Sequence, residues 1–529
     1  MKVPFRTGGL ILSMLVLAVA SCDLGQREPP SLVVFVSLDQ VRGDLLERYD
    51  AHFTSGFRRL HDDGFRFLNA THLHSKTATA VGHATLSTGV FPSRSGIVGN
   101  EWRERTTDGW SLVYSVEDTL THILGLPAME GRSPKNLLRG GLADWISEAD
   151  SGAIIVSGSR KDRAAVTMAG KARGHVYWIP ANEGRWVTSS FYADDYPGWI
   201  SRLNREQMPR IFGDSIWEQN VPAVARGASR PDTSEFEGDG EHSFFPHRFH
   251  DEVRNPESPS ALNRWAYSQP HPDAALGVFA QEAVQALGLG KDMSTDYLGL
   301  SFSQPDAIGH DYGPLSREQL DNLLRLDVIL GDLMALLDRE VGSGRWVMAL
   351  TADHGVLDIP EHLAESGEEA RRATREDFQR LRQAFQAFQD SDANQEENVD
   401  SLVATLESFP FVADAMTVVE LSTPPAADSF VTLMRNSYHP DRWIGGFGSQ
   451  GSGVVFRFEE GYYPDASPRG TGHGSPYHYD RFVPLIFFGN GVKAGVSSDP
   501  VRTVDIAPTL GELAGIPIPT DLDGRALFR

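Results

Sequence analysis

Five short runs of this chain are continuously apolar and rich in β-branched residues: 31–37 (SLVVFVS), 153–156 (AIIV), 297–301 (YLGLS), 346–351 (WVMALT) and 483–488 (VPLIFF). An amphipathic strand would alternate polar and apolar residues, so runs of this kind predict strands buried on both faces. Helical patterns lie between or after them, notably at 318–340 and 503–514. Strands alternating with helices predict an α/β fold built on a mostly parallel central sheet flanked by helices. A chain of 529 residues, 40% of them hydrophobic, can bury the core such a sheet needs.

Two stretches break the alternation and are expected to be insertions. The first, at about 170–290, is rich in Trp, Pro and Gly without sustained periodicity and reads as a cap. The second, at about 360–470, opens with a charged helical run at 368–388 and has β-like segments at 415–421 and 454–458, as in a small α+β subdomain.

The formal charge of -23 argues against a stable nucleic-acid partner, because phosphate backbones are attracted by surplus Lys and Arg. The first 22 residues, MKVPFRTGGLILSMLVLAVASC, carry Lys2 and Arg6 ahead of an apolar run at 9–20 that is too short to span a bilayer. The ending Val-Ala-Ser-Cys22 resembles the lipobox of bacterial lipoproteins, whose cysteine is lipidated and becomes the mature N-terminus. Ordinary cleavage after Ala20 is the alternative. Either reading predicts an exported, periplasmic protein, and the first adds a membrane anchor at Cys22 with residues 23–30 as a polar tether. With Cys22 the sole cysteine, no intrachain disulfide can form, and a metal site must use Asp, His and hydroxyl ligands.

Ligands of open α/β sheets bind beyond the carboxyl ends of strands. Asp39, Asp306 and Asp353 each follow one of the apolar runs. Three carboxylates gathered there would repel one another unless positive charge sat among them, which points to metal. His310 stands four residues after Asp306, His354 adjoins Asp353, and His473 lies between glycines in GTGHGSPY. These six form the candidate ligand set.

The ordered motifs SLDQVRGD, TATAVGHATLSTGVFPSRSGIVGN, SGSRKDR, PDAIGHDYG, TADHG and GTGHGSPY resemble the alkaline phosphatase superfamily, and most of all bacterial periplasmic alkaline phosphatases with a threonine nucleophile. The likeness runs from about residue 33 to the C-terminus, making 31–529 one alkaline-phosphatase-like catalytic domain. It implies two Zn2+ ions, one held by Asp306, His310 and His473, the other by Asp39, Asp353, His354 and the nucleophile. It implies Thr79 as that nucleophile, with Thr77 a nearby alternative, and Asn100 as a donor to a phosphoryl oxygen. Thr79 also precedes a helical pattern, whose N-terminus favours an anion. His83 reads as structural support and Arg160 as a bystander.

Lys161 and Arg163 are similar to the Lys-x-Arg element of threonine-type phosphomonoesterases. In extended backbone they would point to one face, with Asp162 on the other. The expected activity is hydrolysis of small-molecule phosphate monoesters through a phosphothreonine intermediate. The alternatives are a phosphodiesterase or nucleotide pyrophosphatase on the same scaffold, with Lys161 and Arg163 serving structure, and a non-catalytic metal-binding lipoprotein. A sulfatase lacks its modified Cys or Ser motif here, and the P-loop GxxxxGK[ST] is absent. The segment containing His242, His247 and His250 has mixed spacing and aromatic content, as in a packed loop.

Overall fold

The computed structural model describes Met1 and residues 28–107, 109–391, 396–422, 429–443 and 453–528. The export signal, Cys22 and most of the tether lie outside the described residues. All five apolar runs become strands of one nine-stranded sheet. Its strands are β1 (Leu32–Leu38), β2 (Phe65–Thr71), β3 (Ile155–Ser159), β4 (His175–Trp178), β5 (Asp296–Phe302), β6 (Trp346–Thr351), β7 (Phe482–Gly489), β8 (Gly495–Ser497) and β9 (Val501–Arg502). Their spatial order is β8-β2-β7-β6-β1-β5-β3-β4, with β9 also on β2. β1 lies at the centre, parallel to β5 and β6, and β3 and β4 continue the parallel set. β7 alone runs antiparallel, between β6 and β2.

Every residue of β1, β5 and β6 is buried, as the unbroken apolar runs require. Helices Gly56–Asp63, His271–Leu287 and Arg317–Leu337 pack as one group against the sheet, and helices Thr79–Thr88, Leu142–Ala149, Asp162–Met168 and Ile506–Ala514 as another. Register matters more for function than helix count. Ser37 pairs with both Ser301 and Thr351, so the carboxyl ends of β1, β5 and β6 finish level. The residues just beyond them are therefore delivered to one place.

The expected segment boundaries shift in the structure. His175–Trp178, inside the stretch from about 170, is the edge strand β4, and the excursion between sheet strands starts after it. Between β6 and β7, helices Arg375–Asp390 and Glu396–Glu407 and the antiparallel pair Val412–Thr417 and Val454–Phe458 surround a separate apolar cluster that includes Leu381, Phe385, Leu406 and Phe411. Two hairpins absent from the sequence expectation, Glu101–Thr106 with Gly109–Tyr114 and Glu117–Ile123 with Leu126–Arg132, precede β3. Their strands are half exposed and lack the long apolar runs that betray the central sheet.

Candidate active site

Beyond the level ends of β1, β5 and β6, the six candidate ligands form two clusters. Asp306, His310 and His473 have ligand atoms within 4.8 Å of one another, and so do Asp39, Asp353 and His354. Asp306 and His310 lie one turn apart on helix Gln304–Tyr312, with His310 Nε2 at 3.2 Å and His473 Nε2 at 3.5 Å from Asp306 Oδ1. His354 Nε2 is 3.6 Å from Asp39 Oδ1 and 3.4 Å from Asp353 Oδ2. The rings of His354 and His473 stack at 3.6 Å between centroids, which joins the clusters.

Each histidine has its tautomer fixed by a backbone carbonyl. Nδ1–H donates to Thr471 O from His310 (2.7 Å), to Thr77 O from His473 (2.8 Å) and to Gly355 O from His354 (3.1 Å). That leaves each Nε2 lone pair directed into the cluster, the arrangement metal-binding imidazoles use. Asp39 Oδ1 and His354 Nε2 are buried without a hydrogen-bond partner, and Asp39 Oδ2 and Asp353 Oδ2 have only charged neighbours, Lys161 at 2.5 Å and His83 at 3.2 Å. Buried polar atoms left in this way are costly unless something binds them, and an all-N,O donor set of carboxylates and imidazoles fits divalent ions.

The electrostatics agree. Burial, then repulsion from Asp306 and Asp353, pushes the Asp39 carboxyl up to about 8. Burial acts against Asp306 too, but Lys161 and His310 beside it outweigh that and hold it well below the usual carboxylate range. Three buried carboxylates, Asp39, Asp306 and Asp353, thus share one buried ammonium. Lys161 Nζ lies 2.5 Å from Asp39 Oδ2 and 2.6 Å from Asp306 Oδ2, between the two trios.

Thr79 is buried and opens helix Thr79–Thr88. Lys161 Nζ donates to its Oγ1 at 3.3 Å and Arg163 Nη2 at 3.4 Å. Asn100 accepts from the Ala80 amide through Oδ1 (2.9 Å), which orients its side-chain amide and leaves the NH2 end as a donor. The neighbouring Thr77 is engaged elsewhere: its hydroxyl donates to Ser475 O (3.1 Å) and accepts from the Gly474 amide (3.0 Å). His83 bridges Thr79 O and Ser301 Oγ, both at 2.8 Å, and stands 3.2 Å from Asp353 Oδ2, tying the helix to the sheet without joining either cluster.

Lys161 and Arg163 do not sit in extended backbone. Lys161 is the last extended residue and helix Asp162–Met168 begins directly after it, so Arg163 reaches Thr79 from a first helical turn. Asp162 is held by Tyr114 Oη and Arg132 Nε, each at 2.6 Å, from the two hairpins. Arg160 is turned away, donating to Tyr267 O. His247 is packed between Glu252, Glu318 and Trp217 and belongs to neither metal-competent cluster among the described residues.

Gln40 was not singled out by its sequence. It adopts a left-handed backbone (φ 68°), rare outside glycine, in which its amide nitrogen donates to Asp353 Oδ1 (3.2 Å) and its Nε2 to Asp306 Oδ1 (3.1 Å). One residue thereby links a ligand of each cluster. Its position directly after Asp39 was the only available signal.

A family profile described as "Type I phosphodiesterase / nucleotide pyrophosphatase" matches residues 33–443. The chain is 30% identical to alkaline phosphatase PhoV of Synechococcus elongatus, covering 94% of this chain and 92% of that protein. It is 28% identical to alkaline phosphatase PafA of Elizabethkingia meningoseptica, covering 94% of each. The crystal structure of wild-type PafA superposes with a TM-score of 0.84 at 26% identity, over 94% of this chain and 98% of that one.

Proposed function

This chain belongs to the type I phosphodiesterase / nucleotide pyrophosphatase family of the alkaline phosphatase superfamily, and from that premise we propose how it works as a phosphomonoesterase. It is an alkaline phosphatase, acting on small-molecule phosphate monoesters. Thr79 is the nucleophile: its Oγ1 forms a bond to phosphorus as the ester P–O bond breaks, and water then splits the phosphothreonine to release phosphate. Asp306, His310 and His473 would hold one Zn2+ and Asp39, Asp353 and His354 the other, with Thr79 completing the second set. When bound, these ions supply the Lewis acidity that activates a hydroxyl near neutral pH and neutralises a departing oxygen.

The chain's own groups have separate tasks. Lys161 and Arg163 reach Thr79 Oγ1, Asn100 is held by the Ala80 amide next to it, and the three would neutralise charge on the nonbridging oxygens, where a dianionic monoester carries most of it. Burial strengthens each of these contacts. His83 keeps Thr79 fixed relative to Asp353.

The family description includes diesterases, so the observation that carries the monoester reading is the paired approach of Lys161 and Arg163 to Thr79 Oγ1 at 3.3 and 3.4 Å. A diester has one negative charge fewer and gains less from two cations. Arg163→Ala should therefore lower kcat/KM for a phosphate monoester by roughly a hundredfold or more, as expected for loss of a transition-state charge contact, and change a matched diester much less. Steady-state kinetics on both esters of one alcohol checks this. Equal losses on the two, or a wild-type preference for the diester, would contradict it.

The N-terminal sequence supports export and anchoring through a lipidated Cys22, with residues 23–30 as tether. No described helix is long and apolar enough to cross a membrane. In the native host, wild type should fractionate with membranes and Cys22→Ser should appear in the soluble periplasmic fraction. Identical fractionation of both would refute the anchor.

A further inference from the structure

A cavity of about 280 Å3 opens beside the reacting centre and shares His473 and Gly474 with it. Its walls are aromatic, with Phe430, Phe456, Phe458 and Tyr477 among them. Arg457 lies over the faces of Phe430 (4.4 Å) and Tyr477 (6.0 Å) and braces two of those walls by cation–π contact. The volume is just below the roughly 300–1,000 Å3 that ligand pockets span, which suits a single ring. Flat π systems gain from such walls through offset or edge-to-face stacking.

Lys76 lines the same cavity, three residues ahead of Thr79. Its Nζ stands 3.3 Å from where a Cβ on Gly474 would be, next to His473 and therefore at the junction of cavity and site. Among the described residues its ammonium makes no hydrogen bond and no ion pair; the charge acting on it is that of Asp480. Asp480 accepts from the Gly474 and Ser475 amides and the Ser475 hydroxyl through Oδ2, while its Oδ1 is buried without a hydrogen-bond partner. A cation at the edge of an apolar chamber is costly without a partner, and a bound anion would supply one. Lys161 and Arg163, by contrast, both reach Thr79 Oγ1, and Lys161 is also paired with Asp39 and Asp306.

Resting on the phosphomonoesterase reading, we propose that this cavity is the leaving-group subsite, and that it selects phosphate esters of aromatic or heteroaromatic alcohols bearing a second anionic group, which Lys76 receives. The aromatic walls hold the ring, and the lysine distinguishes an anionic ring from a neutral one of the same shape.

The test compares 3-carboxyphenyl phosphate with its neutral isostere 3-carbamoylphenyl phosphate, and ethyl phosphate as a leaving group too small to fill the cavity. In wild type the carboxylate ester should have the higher kcat/KM. Lys76→Met should shrink that preference by about tenfold, the worth of one charge-assisted hydrogen bond, while Lys76→Arg retains most of it. Inhibition of wild type by the two product phenols needs no variant: 3-hydroxybenzoate should inhibit more strongly than 3-hydroxybenzamide. Equal inhibition by the two phenols, or a preference that survives Lys76→Met, would overturn the subsite. Hydrolysis of ethyl phosphate without any gain for the carboxylate ester defeats this inference alone, whereas failure to hydrolyse any of the three monoesters defeats the phosphomonoesterase reading with it.

Discussion

Thr79→Ala is expected to lower kcat/KM for phosphate monoesters by at least about a thousandfold, with metal content nearly unchanged. The alanine lacks the hydroxyl that both Lys161 Nζ and Arg163 Nη2 approach. Thr77 cannot substitute for it, because its hydroxyl is tied to Ser475 O and the Gly474 amide and its carbonyl orients His473. Each metal-competent trio keeps its three Asp and His side chains in the variant. Thr79→Ser should retain a large part of the activity, since it preserves the oxygen. Chelation of wild type should abolish turnover, and added Zn2+ should restore it. Quench-flow with a labelled substrate should find phosphate covalently attached to wild type and none on Thr79→Ala. A Thr79→Ala enzyme that keeps near-wild-type turnover, or turnover indifferent to chelation, would rule out the mechanism.

How far the sequence reveals this site follows from the range over which each residue acts. Strands buried on both faces declare themselves locally, so β1, β3, β5, β6 and β7 are legible as apolar runs, and the carboxylates that end three of them can be picked out by position. β2 is not legible: FRFLNAT is half exposed and gets its place from pairing with β7, β8 and β9. The helical start at Asp162 is hidden because only seven residues are helical, too few for periodicity to develop against the strand before them.

Residues that act through distant partners are hidden for a different reason. Gln40 meets Asp306 across 266 positions and Asp353 across 313, and its role depends on a backbone conformation that its side chain does not advertise. Tyr114 and Arg132 hold Asp162 from hairpins that carry no buried-strand signature. Five of the six ligands lie in the short segments that follow the central strands, His473 comes from the segment that precedes β7, and their supports come from everywhere else.

Gly82 shows how little slack those supports leave, and Gly82→Ala is expected to lower kcat/KM by about a hundredfold or more and the melting temperature by roughly 2–6 °C. The Thr79–Thr88 helix crosses the backbone after β6 so closely that a Cβ on Gly82 would lie 2.0 Å from Asp353 O and 2.7 Å from Asp353 Cβ. A methyl group needs well over an ångström more, so one partner must move. Neither is free. Asp353 Oδ1 accepts from the Gln40 and His354 amides, and the helix carries Thr79 three residues before Gly82 and His83 one residue after it. Displacement would separate the nucleophile from Asp353 and His354, and a shift of about 1 Å at reacting groups can cost a hundredfold in rate. Gly227, whose Cβ would meet nothing within 4 Å, supplies the control: Gly227→Ala should leave both kinetics and melting unchanged. Thermal melts and kinetics on the two variants decide the matter, and a Gly82→Ala enzyme as active and stable as Gly227→Ala would show that the helix and the Asp353 segment can separate without loss.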